Sequence, residues 1–337
     1  MSQTIFKQAF VQVRGDFRGV RQPPGNSVNG TKTARPSVVG MRTHEQTRAG
    51  ARLAERLASD RVLWAAWSRV AAGSGMAGAD GVTAAVFGRE VGPRLTTLAT
   101  LLREQRYQAQ PLRPVRLMRG GKPRTRGLPT ICDRIVQRAF LNIHGTRLNP
   151  ANPVSFSYRP GRSWLNALEQ VQRHRDSGLT WVLRTDIADF FAEVGHRLLL
   201  EQVAGRIHDP YAAELVRSWV CAPWLMPEGV VDRRRGLPEG APISPALAEF
   251  FLADFDREVD GRSGRLVRYA DDLTVLCQGP DEAMAALTEV DRALTARGLR
   301  INPDKTYIAD FDFGFTLLGW RFVGTTAQPA GTEEGGR

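Results

Sequence analysis

Three aspartates in two segments of the sequence have the spacing of a metal site. Asp271 and Asp272 are adjacent, and short apolar runs flank them on both sides, which predicts a β-hairpin whose turn carries both acids. An Asp-Asp pair alone is also common in surface turns. Asp186, however, ends another apolar strand, so two strands can bring three carboxylates to one sheet edge. Crowded carboxylates repel one another unless a cation binds them. Because Mg²⁺ prefers oxygen ligands and keeps positions open for phosphate oxygens, the pattern predicts a two-metal phosphoryl-transfer site.

Several short blocks of sequence surround these acids in a fixed order. Tyr269-Ala270-Asp271-Asp272 resembles the YxDD block of reverse transcriptases, and the other blocks resemble those of group II intron-type and CRISPR- or defence-associated bacterial members. The resemblance runs from about Leu63 to Phe322. Its other blocks are Gly78–Thr83, Gly127–Thr130 with Asp133–Gln137, Tyr158–Ser163, Asp186–Phe191, Gly236–Pro245, Gly298-Leu299 with Lys305-Thr306, and Leu318–Trp320. Any one block is a weak signal, but the ordered set is specific.

The resemblance implies an α+β fold, with a right-hand polymerase palm and fingers built from an antiparallel sheet packed by helices. The expected division is a disordered basic leader over 1–43, fingers with the first palm elements over 44–178, a palm over 179–322 and a flexible tail over 323–337. The family's helical thumb is missing from this division. We therefore expect a protein partner, a structured RNA or self-association to supply the missing grip on the duplex.

The resemblance also assigns the chemistry of the three acids. Asp186 and Asp271 are expected to bridge two Mg²⁺ ions, with Mn²⁺ as a substitute, and Asp272 is expected to support them. One ion would activate the primer 3′-hydroxyl, and the other would neutralise the triphosphate and the leaving pyrophosphate. The expected partners are an RNA template, a DNA or RNA primer and deoxynucleoside triphosphates.

Basic residues are expected to bind the triphosphate of the nucleotide. Six cations lie between Arg113 and Arg126, in what the resemblance identifies as a fingers hairpin. Lys122 and Arg124 match the positions that hold the triphosphate, and Arg124 is the better match because a planar guanidinium suits a bidentate grip on phosphate. The alternative is that these are solvated surface cations. Lys305 matches a position near the nucleotide phosphates.

Two further residues are expected beside the nucleotide. Phe191 lies five positions after Asp186, where the family has an aromatic ring that excludes a 2′-hydroxyl; the alternative is an ordinary core aromatic. Glu239 replaces the usual Gln. An acid near a triphosphate is unfavourable unless Arg124, a metal or the Arg233–Arg235 cluster compensates its charge.

Four residues are expected near the primer and template. Tyr269 belongs to the YADD turn, and Gly319 lies in the Leu318–Trp320 block that matches positions near the primer end. Arg159 and Arg162 are candidates for template contacts, although a structural role fits both equally well. These assignments follow from the resemblance.

Composition supports a polyanionic partner and excludes some other classes of function. The chain has 46 Lys and Arg residues against 35 Asp and Glu, a net charge of +11 that favours phosphate contacts. The N-terminus lacks a secretory signal, and no apolar run reaches membrane-spanning length. Three scattered cysteines without a CxxC pair argue against zinc and disulfides. We therefore expect a cytoplasmic protein.

These observations together predict an RNA-directed DNA polymerase. The alternatives are a catalytically weak or silent nucleic-acid-binding scaffold in a polymerase fold, which the retained acids argue against, and an RNA-templated RNA polymerase, which Phe191 argues against. For the biological role we expect CRISPR spacer acquisition or another phage-defence system. An intron- or retron-type mobile-element enzyme is the alternative.

Overall fold

The computed structural model describes residues 11–12, 44–73, 75–119 and 122–331, which form helices and short strands. The helices are α1 (His44–Leu57), α2 (Asp60–Ala71), α3 (Ala84–Gly88), α4 (Val91–Arg103), α5 (Ile131–Leu148), α6 (Trp164–Asp176), α7 (Phe190–Glu193), α8 (His196–Arg206), α9 (Pro210–Val220), α10 (Ser244–Val259) and α11 (Pro280–Thr295). The strands are β1 (Val11–Gln12), β2 (Arg113–Arg119), β3 (Lys122–Leu128), β4 (Trp181–Asp186), β5 (Trp224–Met226), β6 (Gly229–Val231), β7 (Arg265–Tyr269), β8 (Asp272–Cys277), β9 (Tyr307–Asp310), β10 (Phe315–Leu317), β11 (Trp320–Val323) and β12 (Thr326–Pro329). This mixture of helices and antiparallel sheet agrees with the predicted α+β class.

A five-stranded antiparallel sheet in the order β1-β9-β4-β8-β7 organises the second half of the chain. In β4, Val182 and Leu183 are both fully buried because the sheet is covered on both faces. Leu183 joins the large core that contains α10 and α11, whereas Val182 joins a smaller core formed with α6, β10 and β11. This burial explains why β4 reads as a nearly continuous apolar run.

The outer edge of β7 is paired with the segment that follows α5. The Arg268 N–H donates to the Val154 carbonyl at 2.8 Å, and the Phe156 N–H donates to the Arg268 carbonyl at 3.0 Å. Ser155 thereby forms a parallel bridge with Arg268. The segment from Val154 to Phe156 thus extends the sheet beside the hairpin that carries Asp271.

The helix α5 begins at Ile131 with a reciprocal cap. Thr130 is its N-cap, and Asp133 lies in its first turn. The Thr130 hydroxyl accepts from the Asp133 N–H at 3.1 Å, while the Asp133 carboxylate accepts from Thr130 and from the Tyr107 hydroxyl at 2.6 Å. This reciprocal capping satisfies backbone donors that would otherwise lack partners.

The two ends of the predicted domain division differ from the structure. Residues 1–43 were expected to be unstructured; of these, Val11 and Gln12 pair with β9, and the remainder lies outside the described residues. The predicted flexible tail begins at residue 323, yet β12 pairs with β11 through Pro329. Because every residue of β12 is exposed, the strand lacks the apolar alternation that sequence patterns detect. Residues 332–337 lie outside the described part.

No helix in the described ranges is long and apolar enough to cross a lipid bilayer.

Candidate metal and nucleotide site

The structure brings the three predicted aspartates together at one end of the central sheet. Asp186 is the last residue of β4, and its register partner is Asp272, the first residue of β8. Asp271 lies in the two-residue turn between β7 and β8, and its carbonyl accepts from the Ile187 N–H at 3.0 Å. The antiparallel register therefore places the turn directly beside the end of β4, as the sequence predicts.

Asp271 is a partly buried carboxyl with a raised pKa. Burial raises the pKa of its carboxyl above the ordinary value, and the nearby charge of Asp186 raises that pKa further. Lys305 offsets only part of this effect. Among the described residues, Asp271 takes part in none of the ion pairs within 4.0 Å. A partly buried carboxylate beside a second acid would be stabilised by a bound cation.

Asp186 has one cationic partner. The Lys305 Nζ lies 2.9 Å from the Asp186 Oδ2, and the Asn302 side-chain amide lies 3.5 Å from the same oxygen. The Asn302 N–H also donates to the Asp186 carbonyl at 2.7 Å. The Lys305 ammonium, on a side chain that is 60% exposed, forms an ion pair with Asp186, whose side chain is 15% exposed. The phosphate contact expected of Lys305 stays a prediction.

Asp272 has a different environment from its neighbour. Both of its carboxylate oxygens are bound by the Arg184 guanidinium, through a short contact to Oδ1 and a 3.1 Å contact to Oδ2. Burial alone would lower the pKa of Arg184, but the charge and hydrogen bonds of Asp272 raise it. Arg184 also bonds the Thr274 hydroxyl and the Thr316 carbonyl. Asp272 therefore ties β8 to β4 and β10 through Arg184.

The donor set fits a divalent ion at Asp186 and Asp271, with Asp272 in a supporting position. Within the described ranges no group of three or more His, Cys, Asp or Glu side chains has a metal-binding arrangement. This agrees with the Asp272 carboxylate being directed to Arg184. Carboxylate oxygens are hard ligands of the kind that Mg²⁺ and Mn²⁺ take, together with water and phosphate.

Phe191 is bonded to the loop that contains Gly236-Leu237-Pro238. It is the second residue of α7 and only partly buried, whereas Phe190 is 2% exposed and belongs to the main core. Their rings meet edge to face at 5.5 Å. The Phe191 carbonyl accepts from the Leu237 N–H at 2.6 Å, which fixes the loop that carries Glu239. Phe191 packs against the main core without being fully buried, and the sugar contact expected of it stays a prediction.

Arg126 compensates the charge of Glu239, a role that was expected of Arg124, a metal or the Arg233–Arg235 cluster. The Arg126 Nε donates to the Glu239 Oε2 at 3.2 Å, with 23% of the Glu239 side chain exposed. The Arg233–Arg235 cluster was expected as a source of compensation. Instead, Arg233 donates to backbone carbonyls including Ala222 at 3.1 Å, and Arg235 pairs with Glu193 at 3.0 Å. The side chains of Arg233 and Arg235 therefore bind other partners and do not pair with Glu239.

Lys122 and Arg124 lie on β3 of the β2–β3 hairpin. Arg124 is the register partner of Leu117, and Lys122 is the partner of Arg119 at the hairpin end. Their side chains lie outside the described part of the structure, so their expected contacts with a triphosphate stay predictions. Arg126, two residues after Arg124 on the same strand, joins the hairpin to the Glu239 loop.

Arg159 and Arg162 make structural contacts within the chain, which was one of the two roles expected for them. Arg159, with a side chain 7% exposed, lies 3.3 Å from the Glu249 carboxylate. Arg162 donates to the Asn152 and Ser155 carbonyls, both at 2.7 Å, and its guanidinium lies over the Phe156 ring. Template contacts by either arginine therefore stay untested.

Tyr269 and Gly319 lie on two neighbouring hairpins. Tyr269 ends β7 and packs against the smaller core, as does Trp320. Leu318 and Gly319 form the turn between β10 and β11 with positive φ values of 50° and 80°. Two such residues in succession are characteristic of a type I′ turn, which explains the glycine. The primer contacts expected of Tyr269 and Gly319 stay predictions.

Sequence reasoning missed four residues that shape this site. Arg126 contacts Glu239, Arg184 contacts Asp272, and Asn302 contacts Asp186. Glu249 accepts a hydrogen bond from Arg268, close to the turn that carries Asp271. Arg126 belongs to the basic hairpin and Asn302 precedes Lys305, so both were near a recognised signal. Arg184 gave the best available signal, because a charge inside an apolar strand requires a counter-ion.

The fold and the sequence of this chain are similar to those of several known proteins. The fold is similar to that of telomerase from Candida albicans in complex with a fragment of telomeric RNA, with a TM-score of 0.51 and 11% identity over 74% of this chain and 50% of that chain. Protein YkfC of Escherichia coli is 29% identical over 73% of this chain and 75% of its own length. The group II intron-encoded protein LtrA of Lactococcus lactis is 28% identical over 47% of this chain, but the match covers only 27% of LtrA.

The sequence model of the reverse transcriptase (RNA-dependent DNA polymerase) family matches residues 118–325, more than half of the chain. The chain therefore belongs to the reverse transcriptase family. This confirms the class of enzyme that the ordered blocks predict, an RNA-directed DNA polymerase.

Opposite effects on stability are expected from neutralising the two adjacent aspartates in metal-free buffer. Because the folded-state pKa of Asp271 is raised, its ionised form disfavours folding, and the free energy of unfolding falls as pH rises through that pKa. Asp271→Asn should therefore raise the melting temperature at pH 7, and the gain should vanish at pH values below the ordinary Asp pKa of about 4. Asp272→Asn should instead cost about 1–3 kcal/mol, because it leaves Arg184 without its counter-ion.

The measurement is thermal unfolding with EDTA across a pH series. A stability loss for Asp271→Asn at pH 7 would contradict the assignment of Asp271 as a carboxylate that lacks a charged partner. Addition of Mg²⁺ should raise the melting temperature of the wild type more than that of Asp271→Asn, because only the wild type retains both carboxylates.

The contact between Arg126 and Glu239 predicts a non-additive effect on nucleotide use. Arg126→Gln should raise the KM for the nucleotide, since it leaves the Glu239 charge uncompensated beside the triphosphate. Adding Glu239→Gln should recover part of that loss, with a coupling of about 0.5–1 kcal/mol. The measurement is steady-state extension at varied nucleotide concentration. Arg217→Gln, which breaks an exposed pair with Glu214 elsewhere, is the control; additive effects would show that Arg126 and Glu239 act separately.

Proposed function

We propose that this protein extends a primer with deoxynucleotides on an RNA template, by two-metal phosphoryl transfer at Asp186 and Asp271. The observation that carries the proposal is the environment of Asp271, a partly buried acid whose pKa is raised by desolvation and by Asp186 and which has no ion-pair partner within 4.0 Å among the described residues. Such an arrangement is costly unless a cation binds it. Membership of the reverse transcriptase family supports the same chemistry.

Each residue of the site has a distinct role in this proposal. Asp186 and Asp271 would hold the Mg²⁺ ions, which supply charge neutralisation at the triphosphate and activation of the 3′-hydroxyl. Asp272 keeps β8 in register through Arg184. Lys305 pairs with Asp186 at 2.9 Å, and as an exposed cation at this site it would favour the binding of phosphates. Arg126 screens Glu239, so that the nucleotide meets no uncompensated acid.

The division into subdomains is part of the proposal. We assign the central sheet with α10 and α11 to a palm, and the β2–β3 hairpin with the helices before it to fingers. On this assignment Lys122 and Arg124 lie at the hairpin end that would close over the nucleotide. An additional protein or structured RNA would assist in holding the primer–template duplex.

The biological setting is a separate proposal. We propose a role in CRISPR spacer acquisition or another phage-defence system, as expected from the sequence. The identity of the neighbouring genes tests it, because a gene for a spacer-integration protein beside this one would support the first setting. A surrounding intron RNA or retron RNA would favour a mobile-element enzyme instead.

The direct test is primer extension on an RNA template with Mg²⁺. Asp186→Asn and Asp271→Asn should each reduce the rate by about three orders of magnitude or more, because metal-ion catalysis supplies several kcal/mol of transition-state stabilisation. Both variants should fold and bind RNA as the wild type does. Asp281→Asn, at an exposed position in the first turn of α11, is the control. Full extension by Asp271→Asn would exclude it as a metal ligand.

Phe191 is expected to discriminate between the two sugars. Phe191→Ala should increase the use of ribonucleotides relative to deoxynucleotides by about tenfold, equivalent to about 1.4 kcal/mol, because it opens space for the 2′-hydroxyl. The measurement is the ratio of kcat/KM for matched nucleotide pairs. Phe190→Leu, in the core beside it, controls for altered packing. An unchanged ratio in Phe191→Ala would make Phe191 a core residue.

A further inference from the structure

The turn that carries Asp271 has an unfavourable backbone conformation. Ala270 has a φ of 56°, in the left-handed region that alanine rarely adopts. A residue stays in such a conformation only when its surroundings hold it there. Here both backbone polar groups of Ala270 are bound: its N–H donates to the Ser157 Oγ at 2.9 Å, and its carbonyl accepts from the Arg268 Nη1 at 3.0 Å.

The groups that hold Ala270 are fixed by a buried carboxylate. The Ser157 hydroxyl donates to the Glu249 Oε1 at 2.7 Å, and the Arg268 Nη1 lies 2.9 Å from that same oxygen. Arg268 also contacts Asp256, with its Nη2 at 2.6 Å from the Asp256 Oδ2. Ser157, Glu249, Asp256 and Arg268 are each at most 1% exposed. Glu249 on α10 therefore sets the position of both side chains that bond the turn, the acceptor Ser157 and the donor Arg268.

We infer that Ser157 and Glu249 are positioning residues for the catalytic turn. Glu249 orients the Ser157 hydroxyl, the hydroxyl holds the Ala270 N–H, and Arg268 holds the Ala270 carbonyl. The strained peptide is thereby kept in the one arrangement that places Asp271 beside Asp186. In this inference both residues act through Ala270 and not on substrate or metal themselves. This inference rests on the proposed function, since it assigns a purpose to the geometry of that site.

Ser155 provides a matched comparison within the same network. Its hydroxyl also donates to the Glu249 carboxylate, through a short contact to Oε2, and the side chain is fully buried. However, Ser155 makes no hydrogen bond to Ala270. Loss of either serine hydroxyl therefore removes one hydrogen bond from Glu249, but only the loss of Ser157 also releases the turn.

The experiment compares Ser157→Ala with Ser155→Ala in the full chain. Both should lower the melting temperature by similar amounts. Ser157→Ala alone should lower kcat for primer extension by about 10- to 100-fold and raise the Mg²⁺ concentration for half-maximal rate, because Asp271 is no longer held in place. The KM values for nucleotide and primer–template should stay within about threefold of the wild type. Ser155→Ala should retain kcat within about threefold.

Two measurements do not depend on activity. Hydrogen–deuterium exchange over residues 269–272 should be faster in Ser157→Ala than in the wild type, and unchanged in Ser155→Ala. The affinity for Mn²⁺, followed by its electron paramagnetic resonance signal, should fall in Ser157→Ala only. Equal losses of kcat in the two serine variants, or unchanged exchange at the turn in Ser157→Ala, would overturn the inference. If the wild type does not extend primers, the proposed function fails, whereas the exchange and Mn²⁺ measurements still decide the positioning role.

Discussion

The structure around the candidate site depends on the burial of one charged side chain, Arg268. Its guanidinium is fully buried and is bound by the carboxylates of Glu249 and Asp256, both from α10. Burial alone would lower the pKa of Arg268, but these two acids raise it far above the ordinary value. Removing one partner of such a buried pair costs about 3–5 kcal/mol, because a charge is left without compensation. The position of β7 relative to α10 is therefore strongly constrained.

The buried ion pairs of Arg268 help to hold a site whose charge and backbone conformation are both unfavourable. Asp271 is destabilised by burial and by Asp186, and Ala270 is held with positive φ. Other non-glycine residues with positive φ in the described part include Tyr158, Asp189 and Leu318, each within a block that resembles the reverse transcriptase family. Strain of this kind collects where function requires a particular geometry, and the rest of the fold must offset it. Satisfied buried networks suit that task because they permit few alternative arrangements.

Much of this arrangement could be predicted from the sequence, because short-range patterns encode it. Apolar runs that end in acids predicted β4, the hairpin of β7 and β8 and the meeting of the three aspartates. The partners of those acids could not be predicted in the same way. Arg126 and Glu239 are far apart in sequence, and Asp271 and Asp272 are the same type of residue, so only the fold shows which of the two is paired with Arg184. The exposed strand β12 lacked an apolar pattern altogether.

The pairing of the Val154–Phe156 segment with β7 has a consequence for solubility. A sheet edge with free N–H and C=O groups is a template for strands of other molecules, and the edge beside the catalytic turn would be such a surface. The contacts of Arg268 with the Val154 carbonyl and the Phe156 N–H occupy that edge. The segment that carries Ser155 and Ser157 therefore also protects the sheet against intermolecular strand addition, so a chain in which it detaches would be prone to aggregate as well as to lose its geometry at Asp271.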